Sequence, residues 1–197
     1  MTLAELLQGI REFYLKQLRE VIERQRADSS IRLITEPVLR LEDGALAREG
    51  ALALGMRVDL VVLSEGRVQD SFHVRADRTV SFKPFTFPWN ERVQVTVGPF
   101  QWEDCALKLH GVESAEKLKP LVNWFDVWFD AEDERAALDK DLQGVVHCLT
   151  DPQFEGSTAT LTVDFGTAPT EVFEDFLDAI DQCGATAVEV GVMGAES

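Results

Sequence analysis

Cysteine, histidine and tyrosine are scarce in this chain of 197 residues, which has 3, 3 and 1 of them. Cys105, Cys148 and Cys183 are odd in number, far apart and in no CxxC pair, which argues against a disulfide framework and a zinc ribbon. No run of about 18 apolar residues occurs, so no membrane-spanning helix is expected. Met1-Thr2-Leu3-Ala4-Glu5 gives no positive segment ahead of an apolar core, which is the mark of a secretory signal. Together with the free thiols, this leads to the expectation of a cytoplasmic protein. Walker A, GxGxxG, HExxH, GxSxG and EF-hand patterns are all missing. Binding is therefore expected before catalysis, with no cofactor.

Basic charge is missing from one half. Residues 1–92 hold 14 basic and 14 acidic side chains, whereas residues 93–197 hold 5 and 21, so the second half carries the entire net −16. Such a surface repels phosphate backbones, so nucleic-acid binding is not expected there. It suits a basic protein partner, or it serves solubility alone.

What is present describes an α+β fold. The chain is 45% apolar and 27% charged, the composition of a folded globular protein. Residues 2–28 carry Leu3, Leu6, Leu7, Ile10, Phe13, Tyr14, Leu18, Val21 and Ile22 at helical spacing, behind the capping box Thr2-Leu3-Ala4-Glu5. This long amphipathic helix is expected to pack on its own chain; the competing reading pairs it with its copy in a homodimer. Residues 29–197 are read as one α+β unit with a candidate subdivision near 111–114. Residues 31–111 read as mainly β: strands at 31–41, 56–64, 68–75, 79–83, 93–97 and 102–110, with a hairpin turn at Glu65-Gly66-Arg67. Residues 45–55 fit a short helix or a loop. Helices are expected at 114–130, at 131–142 and at 169–183, and strands at 145–149, 158–165 and 187–192. The whole is a mostly antiparallel sheet packed against two or three helices, with a C-terminal β-β-α-β unit.

Three sets of residues are candidates for function. The first is the outer face of helix 169–183, where Glu171, Glu174, Asp175, Asp178 and Asp181 stand without a Lys or Arg. Like charges at i,i+4 cost local stability, so a docked basic partner is the sharper account and solubility the plainer one. An inhibitor, immunity or adaptor protein would use such a face. The second set would line an aromatic pocket between the sheet and helix 114–130: Trp89, Trp102, His110, Trp124, Trp128 and Cys148. Of the 17 Phe, Trp and Tyr residues, 10 fall between Phe82 and Phe129, so core packing competes with this pocket. Phe85-Thr86-Phe87-Pro88-Trp89 reads as a Pro-bounded loop. The third set, Asp126, Asp130 and Asp133, would share one helical face if the helix continued, as weak candidates for a hard cation. His110, Cys148 and Asp164 come from separate strands and could converge. His147 reads as a half-buried strand residue.

Overall fold

The computed structural model of the chain describes residues 2–135, 137–138 and 141–191. Helix α1, Leu3–Arg26, starts at the expected capping box: the Thr2 hydroxyl accepts from the Glu5 amide, and the Glu5 carboxylate accepts from the Thr2 amide. Its buried face is Leu6, Leu7, Ile10, Arg11, Tyr14, Leu15, Leu18 and Ile22. Tyr14, Leu15 and Leu18 are fully enclosed by the rest of this chain, while Leu3, Phe13 and Val21 of the stripe are half-buried. Each fully buried leucine or isoleucine contributes roughly 1.5–3 kcal/mol.

Two sheets follow. The smaller has strands β1 (Arg32–Thr35), β2 (Leu60–Ser64) and β3 (Arg67–Phe72) in that order, all antiparallel. Glu65 and Gly66 both have positive φ, 51° and 77°, which makes the β2–β3 connection a tight two-residue turn of the hand that suits strand twist. The larger has strands β4 (Phe85–Trp89), β5 (Val93–Val97), β6 (Cys105–His110), β7 (Cys148–Leu149), β8 (Gln153–Glu155), β9 (Thr158–Asp164) and β10 (Ala187–Val190). Its order is β4-β5-β10-β6-β9-β7, with β8 also on β9. Only β5 and β10 run parallel. Register lines up apolar rows across the sheet: Val95, Val188, Leu109 and Ala159 form one, and Val97, Val190, Leu107 and Leu161 the next. All eight are buried. Thr96, Glu189, Lys108 and Thr160 form the matching polar row on the other face, as period-two alternation demands.

Helices α2 (Lys119–Phe129) and α3 (Glu171–Gln182) pack on each other and complete the core, with a single 3₁₀ turn, Ala115–Leu118, ahead of α2. Trp124 lies 5.1 Å from Phe176 and 6.1 Å from Phe165, ring centre to ring centre, and Trp102 lies 4.8 Å from Phe165. Strands β9 and β10 flank α3 in the C-terminal strand-helix-strand arrangement, preceded by β7 at the expected 145–149 strand and by β8, a strand not expected from the sequence. No described helix is long and apolar enough to cross a membrane.

Several sequence expectations are corrected. The 31–41 strand stops at Thr35, because Glu36 adopts φ 51° and Pro37 follows; only isolated bridges continue it. The 56–64 and 145–149 strands begin later, at Leu60 and Cys148. Residues 79–83 form no strand. Phe85–Trp89 is no loop but edge strand β4, where Pro88 is tolerated because its nitrogen can face away from the single neighbour, β5. Residues 45–55 form a loop, one of the two expected alternatives, with Leu46 bridged to Arg40 and Glu49 to Leu54. In 131–142, the described residues form turns instead of a helix. Asp130 ends α2 in a left-handed conformation, φ 50°, and its carboxylate accepts from the amides of Glu134 and Arg135. Lys140 and Val192 lie outside the described residues.

Arg57 binds this arrangement together. Its side chain is fully buried over the Phe129 ring. It donates from Nε to the Phe129 carbonyl at 2.9 Å and from Nη1 to the Glu36 carbonyl at 2.6 Å. Nη2 donates to the Asp130 carbonyl at 2.5 Å and to Asp133 Oδ1 at 2.7 Å. Arg57→Met takes away the side-chain donor of the Phe129 and Glu36 carbonyls and the ion-pair partner of Asp133; the Asp130 carbonyl keeps the Asp133 amide. The substitution should lower the unfolding free energy by about 3–5 kcal/mol, read from urea denaturation. Arg40→Ala, which breaks the exposed Arg40–Glu132 pair, should cost no more than about 1 kcal/mol.

Candidate functional site

The three-stranded sheet and the β7–β9 edge of the larger one meet over a buried ionic cluster. His147 stands at its centre, fully enclosed. Its Nε2 lies 2.7 Å from Glu36 Oε1. Its Nδ1 lies 3.3 Å from Asp59 Oδ1, an ion-pair distance without hydrogen-bond alignment, and 3.7 Å from Asp164 Oδ2. Glu36 also accepts from the Thr167 hydroxyl at 2.6 Å and from the Gln143 amide at 2.5 Å. Asp59 accepts from the Tyr14 hydroxyl and the Val74 amide. Arg11, from α1, donates to the carbonyls of Thr167 and Ala168. Gly166 sits against the ring with φ +52°; a Cβ there would fall 2.4 Å from His147 Cδ2.

The charges follow from this geometry. Burial opposes charge on His147, but Asp164, Asp59 and the bond to Glu36 outweigh it and hold the pKa well above the ordinary histidine value. His147 is thus an imidazolium. Burial would raise the Asp59 carboxyl, yet His147, Tyr14 and the Val74 amide bring it below the ordinary range. Burial pushes Asp164 up to about 7, with Asp59 and Glu103 adding to it, against the pull of His147 and the Gly166 amide.

Asp164 links this cluster to a cleft of about 240 Å³. Cys148 lines it from β7 and Thr150 from just beyond it, Thr162 and Asp164 from β9, and Glu103 from the turn before β6. Met56 and Val74 supply apolar wall, and His73, Arg75 and Asp104 stand exposed around it. Glu103 is 8% exposed; its Oε1 accepts from the Ala76 amide, and its Oε2 is buried without a hydrogen-bond partner. Burial raises its pKa. Burial and Asp164 likewise push the Cys148 thiol up to about 11, so it is no thiolate nucleophile at neutral pH. His147 has carboxylates on both nitrogens and offers the cleft no free base. Cys148 and His147 therefore do not form a nucleophile–base pair.

The residues expected from sequence fall elsewhere, with one exception. Trp102, Trp124 and Trp128 are core residues, and Trp89 lies on edge strand β4. Cys148 alone of the proposed aromatic pocket lines the cleft. His110 pairs with Thr158 at the opposite end of β9 from Asp164, so the two do not converge; Cys148 and Asp164 are direct cross-strand partners. His110 instead meets Glu189 at 2.7 Å. Asp126 and Asp130 part from Asp133 where α2 ends, and Asp133 turns to Arg57. Among the described residues, no group of three His, Cys, Asp or Glu side chains could hold a metal ion.

On α3, Glu171, Glu174, Asp175 and Asp178 are exposed, and Asp181 is buried against Arg92 at 2.6 Å. Asp175 accepts from the Trp128 indole at 3.1 Å, and Asp178 from the Trp89 indole at 2.9 Å and from Asn90 at 3.1 Å. The Trp124 indole reaches the Val172 carbonyl. Glu36, Asp59, Arg57, Tyr14, Thr167 and Glu103 were missed by sequence reasoning. One signal was present: Arg57 and Asp59 interrupt an otherwise apolar run from Met56 to Leu63. No family model, curated protein or solved structure matches the chain.

The folded chain holds the protons of His147 and Asp164 more tightly than the unfolded chain does. The Asp164 part of the stability falls between about pH 4 and about pH 7. The His147 part is complete below about pH 6.5 and is lost as pH rises through the higher folded value. The urea midpoint should therefore drop from about pH 5 to about pH 8, and Asp164→Asn should flatten the lower limb of that fall. A wild-type midpoint that rises over this range would contradict the assignment.

Proposed function

We propose that this protein is a non-catalytic interaction module whose acidic C-terminal half docks a basic protein partner. The observation that carries the reading is the anchored acidic face of α3. Asp175 and Asp178 are each held by an indole N–H from beneath, so their carboxylates are positioned before any partner arrives. An array already ordered loses less conformational entropy on binding than free side chains would. Glu171 and Glu174 extend it along the exposed side of the helix. Across Trp128, whose ring carries the Arg135 guanidinium at 4.0 Å, lies an open acidic hollow formed by Asp126, Glu132 and Glu134. Apart from Arg135 and Arg40, which pairs with Glu132 at 3.1 Å, the charged groups of this surface are carboxylates.

The test is capture from the source organism's lysate at low salt, followed by a salt gradient. A single basic protein should leave sharply as salt rises, because exposed charges are screened beyond about 10 Å at 0.1 M. A variant with Glu171→Lys, Glu174→Lys, Asp175→Asn and Asp178→Asn keeps an oxygen for each indole and should keep the fold. It should bind that partner at least about tenfold more weakly. Undiminished binding by this variant, or capture indifferent to salt, would refute the reading.

A further inference from the structure

We infer that the cleft between the two sheets is a binding site for a small zwitterion of the free amino-acid class, independent of the acidic face of α3. Its charged lining is divided by depth. The buried members are acids: Glu103, with its Oε2 enclosed and unpartnered, and Asp164, whose Oδ1 accepts from the Gly166 amide at 2.8 Å. The exposed members include two bases, His73 and Arg75, beside a solvated Asp104. Arg75 engages no carboxylate among the described residues. Acids and bases thus share one cleft without neutralising each other.

A ligand with an ammonium group at one end and a carboxylate at the other would satisfy both. The ammonium has three donors. It can meet Asp164 and Glu103, and it offsets the repulsion between two carboxyls set into apolar surroundings. A carboxylate at the mouth meets the planar fork of Arg75, which suits two parallel hydrogen bonds. Met56 and Val74 offer the apolar wall a small aliphatic side chain needs. A volume of about 240 Å³ lies below the usual range of roughly 300–1,000 Å³ for drug-sized ligands and suits a molecule of amino-acid size. The exposed Thr150 hydroxyl accepts from the Thr162 amide at 2.8 Å, and the carboxyl groups and Arg75 supply the charges of the site.

Calorimetry with L-valine, L-leucine and L-methionine at millimolar concentration tests this, with isobutylamine and isovalerate as the two charged halves of valine. At least one of the amino acids should bind saturably, and valine more tightly than either half. Below about pH 7, binding should also release a proton from Asp164, seen as a heat that depends on the buffer. Glu103→Gln keeps the Oε1 that the Ala76 amide needs, and Arg75→Gln alters only an exposed side chain. Each should weaken the amino acid about tenfold or more. Arg75→Gln should leave isobutylamine unaffected. The inference is overturned if none of the three amino acids binds, if isobutylamine matches valine, or if neither substitution weakens binding. Neither result bears on capture of a basic protein by α3, which uses none of these residues.

Discussion

The ion pair between Glu36 and His147 is the contact on which the rest of the molecule turns. One carboxylate, at a left-handed kink near the start of the chain, accepts from an imidazolium, a threonine hydroxyl and a backbone amide that lie more than 100 positions further on. Burying charge is expensive unless each charge is matched and each lone pair filled. Here the matching is close. Glu36 and Asp59 flank the imidazolium, Tyr14 and the Val74 amide complete Asp59, and Arg57 fills the carbonyls left open where α2 ends. Asp164 is the least compensated member: burial pushes its carboxyl up to about 7 against the pull of His147 and the Gly166 amide, which makes the cluster sensitive to pH. Removing any partner leaves a charge in a dry interior, so the two sheets and α1 are held in one relative position.

A second constraint explains the aromatic and acidic residues together. Trp102, Trp124 and Trp128 lie in the core and Trp89 on edge strand β4; the Trp102 indole N–H is buried without a partner, whereas each of the other three finds an acceptor. The helix α3 supplies it three times, from the Val172 carbonyl, Asp175 and Asp178. Some of the acidity that looks wasteful on a helix surface is therefore structural. The same bonds would hold the carboxylates in place for the basic partner we propose. Packing and docking need not compete, because each aspartate has a second oxygen to offer.

Local pattern made much of the fold legible. The capping box at Thr2, the stripe of α1, the Glu65-Gly66 hairpin, the alternation of β5 and β9 and the apolar face of α3 all follow from spacing, and all are observed. Expectations failed where one backbone angle or one distant contact decided. Glu36 turns left-handed and ends a strand that its β-rich neighbours would continue, and Asp130 does the same to a helix. Phe85–Trp89 looked like a loop because of Pro88, yet an edge strand needs hydrogen bonds on one side only. The ionic cluster was hidden for a different reason. Its members come from α1, the Glu36 kink, the approach to β2, the approach to β7 and the end of β9, and no spacing along the chain announces that they meet. Buried charges inside apolar runs, such as Asp59 and Asp164, were the trace they left.

The place of β10 has a consequence for how the chain is made. Strands β5 and β6 are neighbours in sequence, yet they do not touch; residues 187–190 run between them, parallel to one and antiparallel to the other. Until that late segment has left the ribosome, the larger sheet has a gap in its middle and two open edges facing it. Closing it joins residues about ninety positions apart, a contact of high loop entropy and slow formation. Until residues 187–190 arrive, the inner edges of β5 and β6 have no strand to pair with, which makes this late closure the step most open to misassembly.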